Sequence, residues 1–217
     1  MLRFITFEGG DGVGKTTQIQ ALGKYFVQVN RSCIVTREPG GTPLGLVIRK
    51  ALLSAGDHDI APATELFLYL ADRSQHVEEV ITPAIEAGRI VLCDRFTDST
   101  LAYQGYGRGI DLEWLRRLNS AAIGTTIPDL TFLLDCPVEF GLARTARRQA
   151  QRAGVSSRQD RFEREQIQFH ERVRAGFLEL AHNEPSRFRI IDARKSADEI
   201  GALIRRTVEH ELANEFR

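Results

Sequence analysis

No apolar run in this sequence approaches the length needed to cross a bilayer, and neither sign of charge predominates. Lysine plus arginine and aspartate plus glutamate each number 29, so no general affinity for polyanions follows and no nucleic-acid or membrane partner is expected. Cysteine is scarce. Cys33, Cys93 and Cys136 are odd in number, lie in apolar surroundings and lack metal-ligand spacing, which speaks against a disulfide framework and for small core residues in a reducing cytoplasm. The five histidines form no cluster and are expected at the surface or at helix ends. Arg3 and Glu8 come too soon for a secretory leader. There is no internal repeat, linker or low-complexity tract, and 217 residues suit one domain, 1–217, with a full core.

What the chain does have is Gly9-Gly-Asp-Gly-Val-Gly-Lys-Thr16, which fits Gly-x-x-x-x-Gly-Lys-Thr. Glycines let successive backbone N–H groups turn inward around phosphate oxygens. Lys15 can then reach the β- and γ-phosphates, and the Thr16 hydroxyl can ligate Mg²⁺. Arg3–Phe7 before the loop is a short aromatic and β-branched strand. Thr17–Asn30 after it has Ile19, Leu22, Phe26 and Val29 at helical spacing. A helix N-terminus adds its own attraction for phosphate. The dinucleotide fingerprint fails, because Lys15 stands where a third glycine is needed. Gly9, Gly10, Asp11, Gly12, Val13, Gly14, Lys15, Thr16 and Thr17 are therefore the expected loop for a nucleoside triphosphate.

Further apolar runs, Cys33–Thr36, Ile90–Cys93, Leu130–Leu134 and Phe188–Ile191, suit strands buried on both faces of a parallel sheet. Between them lie helical stripes, among them Val77, Val80, Ile81, Ala84 and Ile85, and Trp114, Leu115, Leu118 and Ala122. This alternation predicts a doubly wound, three-layer α/β fold. Ligands then gather beyond the carboxyl ends of the strands, where the glycine loop, Arg37–Gly41, Asp94-Arg95 and Asp192-Ala193-Arg194 all fall. Arg194 is assigned to the nucleotide side. Asp94 ends a Walker-B-type strand and is the expected metal partner of Thr16, and the planar fork of Arg95 suits phosphate oxygens.

Phe7–Thr17, Thr36-Arg-Glu-Pro-Gly-Gly-Thr42, Asp94-Arg-Phe96 and Tyr103-Gln-Gly-Tyr-Gly-Arg-Gly109 occur in that order, and together they resemble the thymidylate kinases across essentially the whole chain. The resemblance implies a five-stranded parallel sheet, a mobile lid at about 144–160 and a homodimer. It also implies transfer of the ATP γ-phosphoryl group to dTMP with Mg²⁺. By resemblance Tyr69 stacks on thymine and Arg73 contacts its carbonyl edge. Thr100 and Gln104 hydrogen-bond near the pyrimidine, and Tyr103 lies against the sugar 2′ position. Asp11 lies near the 3′-hydroxyl and acceptor phosphate, Arg49 and Arg95 clamp that phosphate, and Glu38 belongs to the matching loop.

Seven arginines lie between Arg144 and Arg164, with no acid before Asp160. Some members of the family carry a catalytic arginine in the phosphate loop. Gly12 stands at that position here, which implies that the lid supplies the cation. Arg148 is the first choice for the transferred group and Arg144 for the adenine nucleotide, with Arg147, Arg152 and Arg158 as competitors. Gly154–Ser157 suggests a loop inside the tract. Three other functions fit parts of the pattern: a kinase for another nucleoside or nucleotide, a nucleotide-binding switch, and nucleic-acid binding through the arginines. The switch lacks an Asn-Lys-x-Asp guanine reader, and balanced charge opposes the last.

Overall fold

A computed structural model describes residues 2–53, 60–151, 162 and 165–214. Five parallel strands, β1 (Phe4–Glu8), β2 (Cys33–Arg37), β3 (Ile90–Asp94), β4 (Leu130–Asp135) and β5 (Phe188–Asp192), form one sheet in the order β2-β3-β1-β4-β5. Each strand runs further than its apolar stretch. The ladders continue through Phe7↔Asp94, Arg37↔Asp94 and Asp135↔Asp192, so every strand ends in a charged residue at the carboxyl edge.

Alternation along β1 sets the layers. Ile5 and Phe7 join Ile19, Leu22 and Phe26 of α1 (Lys15–Gln28) and Ile200, Ile204 and Val208 of α9 (Ala197–Asn214) in one core. Burial of each such side chain contributes about 1.5–3 kcal/mol. On the opposite side, α3 (Pro62–His76), α6 (Leu112–Ile123) and α8 (Ile167–Asn183) enclose Leu66, Tyr103, Leu115, Phe169 and Phe177. Asp111 starts α6 by accepting the Trp114 backbone N–H at 2.7 Å, and Gly124 ends it with φ 57°. The remaining helices are α2 (Pro43–Leu53), α4 (Thr82–Glu86), α5 (Thr97–Thr100) and α7 (Val138–Gln151).

Three expectations need correction. β1 is buried throughout, and β3 and β4 throughout apart from their last residues, but Val35 of β2 and Ile190 of β5 are exposed, because both strands are edges with one neighbour each. Trp114 does not share the buried stripe of Leu115; it lies outside against Phe67, ring centroids 6.3 Å apart. His76 and His170 do stand at helix ends, in the last turn of α3 and the first turn of α8, but both are buried, so the surface alternative fails for them.

The predicted stripe over 77–85 is helical, but α3 first widens into a π-helical turn, Val77–Ile81, before α4. Pro83 has no N–H to close a regular turn there. A second π-helical segment, Leu101–Gly107, follows α5 directly.

Candidate active site

The glycine loop joins β1 to α1, with Gly9, Gly12 and Gly14 at φ 127°, 74° and 98°, a region that side chains disfavour. Lys15 folds back across it, its Nζ donating to the Gly9 and Gly10 carbonyls at 3.0 and 2.7 Å. Burial, and then the neighbouring Arg95, press the Lys15 ammonium down to about 8 against the opposing pull of Asp94, Asp11 and Glu8. The Thr16 hydroxyl donates to Asp94 Oδ2 at 3.0 Å, so the expected metal pair is together.

A Cβ on Gly12 would run into the Gly141 carbonyl oxygen and Thr145 Oγ1, and one on Gly141 would run into the Asp11 carbonyl. The phosphate loop therefore rests on α7, the helix that carries Arg144 and Arg148. This contact leaves no room for a side chain at position 12.

The turn after β3 is pinned from two sides. Glu8, fully buried, accepts the Phe96 N–H at 2.7 Å and the Ser99 hydroxyl at 2.6 Å. Burial and then Asp98 raise the Glu8 carboxyl to about 7. Arg187 grips Asp98 through two bonds of 2.7 and 2.9 Å. Between these anchors Arg95 takes φ 69°, unusual for a residue with a side chain and a form of strain common at functional sites. Its Nη1 donates to Gly9 O and Ser99 Oγ, both at 3.1 Å, and its Nη2 to Asp11 Oδ1 at 2.8 Å and the Tyr103 hydroxyl at 3.0 Å. Burial alone would raise the Asp11 carboxyl, but Arg95 and Lys15 more than offset it and hold it below the ordinary range.

Every residue expected to bind the acceptor lines one cavity: Asp11, Glu38, Arg49, Tyr69, Arg73, Arg95, Thr100, Tyr103 and Gln104. Tyr69 and Arg73 reach it from successive turns of α3, Thr100 from α5, and Tyr103 and Gln104 from the π-helical segment. Arg73 is buried and heavily committed. Its Nε donates to Glu38 at 2.8 Å, its Nη1 to Thr100 at 2.8 Å and Asn119 at 2.7 Å, and its Nη2 to the Phe96 carbonyl at 2.9 Å. One Nη2 hydrogen is left over from the five N–H bonds of a guanidinium. Glu38 is itself held by His76 Nδ1 at 3.0 Å, and His76 Nε2 meets Thr36 at 2.6 Å.

A wider cleft on the other side of the loop is lined by Gly12 to Thr17, Asp94, Arg144 and Arg148. Asp11, Glu38, Arg49 and Arg95 line both spaces. Gly9 and Gly10 instead border a small cavity behind the loop, beside Asp135, His170 and Arg174. Arg194 is not on the cleft wall. Its guanidinium is turned onto Asp192 at 2.8 and 2.9 Å, and Lys195 lines the cleft. Of the expected lid, α7 continues as helix through Gln151; Arg152, Arg158 and Gly154–Ser157 lie outside the described residues.

Sequence reasoning missed Ser99, Leu53 and Phe162 on the wall of the cavity that Tyr69 and Arg73 line. Phe162 could have been noticed as a solitary aromatic in the arginine tract; Ser99 and Leu53 carried no signal.

A parallel sheet, a phosphate loop on its first strand, a Walker-B-type carboxylate and a second cavity across a cationic wall define a P-loop phosphotransferase. Comparisons with known proteins make the family specific. The sequence profile named Thymidylate kinase matches residues 7–204. The thymidylate kinase of Desulfovibrio desulfuricans is 51% identical over 99% of this chain and 98% of its own length. That of Geobacter sulfurreducens is 56% identical over 87% and 88%. The crystal structure of thymidylate kinase from Ehrlichia chaffeensis superposes with TM-score 0.76 at 32% identity, covering 96% of this chain and 98% of that one. The chain belongs to the thymidylate kinase family.

Proposed function

We propose that the protein transfers the γ-phosphoryl group of ATP to dTMP, giving dTDP and ADP. The observation that carries this is the shared wall of Asp11, Glu38, Arg49 and Arg95, across which a triphosphate tail beside Lys15 faces a monophosphate in the second cavity. The acceptor phosphate has a second pKa of about 6 and is already largely dianionic near neutral pH, so no general base is required. The difficulty is repulsion between two polyanions. Lys15, Arg95, Arg49 and the α7 arginines offset it, Arg148 toward the transferred group and Arg144 toward the adenine nucleotide.

Thr16 and Asp94 present two hard oxygen donors 3.0 Å apart, and no cluster of three or more His, Cys, Asp or Glu suited to a metal exists among the described residues. That donor set fits Mg²⁺, which takes one or two protein oxygens and completes its shell with phosphates and water. When bound it neutralises charge on the β- and γ-oxygens.

In the acceptor cavity the remaining Arg73 N–H suits the thymine O4, and the Gln104 carbonyl suits N3–H. Tyr69 supplies an aromatic face, with the Phe162 ring centroid 6.4 Å from its own. An ADP-release assay across dTMP, dUMP, dCMP and thymidine tests the reading. Preference for dTMP over dUMP should be about 10- to 200-fold, as one methyl allows; no turnover of dTMP with ATP and Mg²⁺ sinks it.

Two substitutions probe particular contacts. Tyr103 is wedged among Phe162, Phe169 and Phe177, with its ring under Arg95, so it cannot yield to a 2′-hydroxyl. Tyr103→Ala should lower the kcat/KM ratio of dTMP to its ribonucleotide counterpart at least tenfold; an unchanged ratio removes the sugar-gate role. Gly141→Ala should lift α7 off the phosphate loop and lower kcat about 10²-fold, the scale for a misplacement near 1 Å. The KM for dTMP should stay within threefold. Normal kcat in a folded variant would show that the lid does not depend on this contact.

By family resemblance the protein is a cytoplasmic homodimer. No helix among the described residues is long and apolar enough to cross a membrane. Leu44 and Val47 of α2, Phe67 of α3 and Trp114 of α6 are exposed on helices that pack side by side, an apolar face suited to a second copy. Sedimentation velocity checks this: Phe67→Glu should give monomers.

A further inference from the structure

We infer that Glu65, which lines neither substrate space, is a positioning residue that sets which edge of the Gln104 amide faces the base, and thereby makes the pocket select a pyrimidine carrying hydrogen at N3. The inference rests on dTMP being the acceptor and goes on to say what fixes its recognition. A glutamine amide is ambivalent: turned one way it presents an acceptor to the base, turned the other way a donor. Thymine and uracil carry N3–H, whereas cytosine has a lone pair there. The sense of one amide therefore separates two classes of base.

Three observations fix that sense. Gln104 Nε2 donates to Glu65 Oε1 at 2.8 Å, in the buried interior between α3 and the π-helical segment. Glu65 faces Arg108, whose Nε lies 3.5 Å from Oε1 and whose Nη2 lies 3.4 Å from Oε2. A carboxylate opposite a guanidinium offers acceptors only, so it can receive the amide NH₂ and cannot face the amide oxygen without repulsion. Arg108 is itself immobilised, paired to Glu165 at 2.7 Å and stacked 4.7 Å from the Phe169 ring centroid. Gln104, unlike Glu65, lines the acceptor cavity, and with its nitrogen engaged by Glu65 its amide oxygen is the acceptor left for the N3–H of a base there.

The test uses dTMP against 5-methyl-dCMP, which keeps the methyl group and changes only the 4-substituent and the N3 hydrogen. Glu65→Gln replaces an acceptor-only group by one that can also donate, so Gln104 is free to turn. The dTMP to 5-methyl-dCMP ratio of kcat/KM should fall about tenfold or more, the scale of one buried hydrogen bond left unmade. The dTMP to dUMP ratio and the KM for ATP should stay within twofold, which a loosened cavity would not preserve. Glu65→Gln with Arg108→Gln removes both charges of that pair and should behave alike. Gln104→Ala separates the layers: if it leaves the ratio intact, Gln104 does not read N3 and the inference fails with it. If it collapses the ratio while both Glu65 variants keep it, Glu65 is not the orienting group. Absence of wild-type turnover with dTMP would instead defeat the assigned reaction. Should the variants not fold, neutron diffraction from wild-type crystals with dTMP decides. Deuterons on the Gln104 nitrogen directed at Glu65 support the assignment, and deuterons directed at the base overturn it.

Discussion

Lys15→Met is expected to lower kcat by about 10²- to 10³-fold, the usual effect of removing one preorganised charge donor, without lowering Tm. Methionine keeps the stem and removes an ammonium whose burial is unfavourable, so activity and stability should part company. The wild-type pH profile carries the same signature. With the ammonium pressed to about 8, its charge is lost from the substrate-free enzyme as pH rises through that value. kcat/KM for ATP should fall above pH 8, while kcat at saturating ATP should persist to higher pH, because adjacent phosphates favour the charged form. The stability sign follows from linkage. Between about 8 and the ordinary lysine value of 10.5 the unfolded chain binds the extra proton, so stability from this group rises with pH across that window. Denaturant titrations at pH 7.5 and 10 should show that rise in wild type and not in Lys15→Met. A kcat/KM for ATP that stays level to pH 10 would discard the assignment.

Arg95→Ala should lower kcat/KM for dTMP by about 10³-fold or more, within the range known for arginines placed against a transferring phosphoryl group. The loss is double. A cation leaves the wall between the two substrates, and Asp11 remains behind as an anion with one fewer partner, facing incoming phosphate. Arg95→Lys should recover only part, since one ammonium cannot span Gly9, Ser99, Asp11 and the Tyr103 hydroxyl together. The backbone gives a control. At φ 69° alanine is strained and glycine is not, so Arg95→Gly should melt no lower than Arg95→Ala yet be as inactive. An active Arg95→Gly enzyme would mean that the turn, not the guanidinium, matters.

The phosphate loop and the strand-end charges were legible because their signal is local: a fixed spacing, or an apolar run ending in a carboxylate. The residues proposed to bind the acceptor were gathered only through a family pattern, since no periodicity brings Arg49, Tyr69 and Gln104 together. Strand ends other than that at Asp94 fell one residue short, because apolarity stops where the strands still continue into Glu8, Arg37, Asp135 and Asp192. The buried polar framework was invisible. Glu38, Arg73 and His76 satisfy one another across elements distant in sequence, and nothing in the local pattern around His76 distinguishes it from a surface histidine. Arg194 misled for the converse reason, since position after a strand does not reveal that Asp192, two residues earlier, already takes its side chain.

The contact between Gly12 and Gly141 has a bearing on where this chain can carry its cation. The cation proposed on α7 could not be replaced by a lone arginine at position 12, because that side chain would strike the Gly141 carbonyl before reaching a nucleotide. The helix would have to recede first, at the expense of the cations it already delivers. A laboratory conversion of this chain to the other arrangement should therefore require paired changes at the loop and at the start of α7.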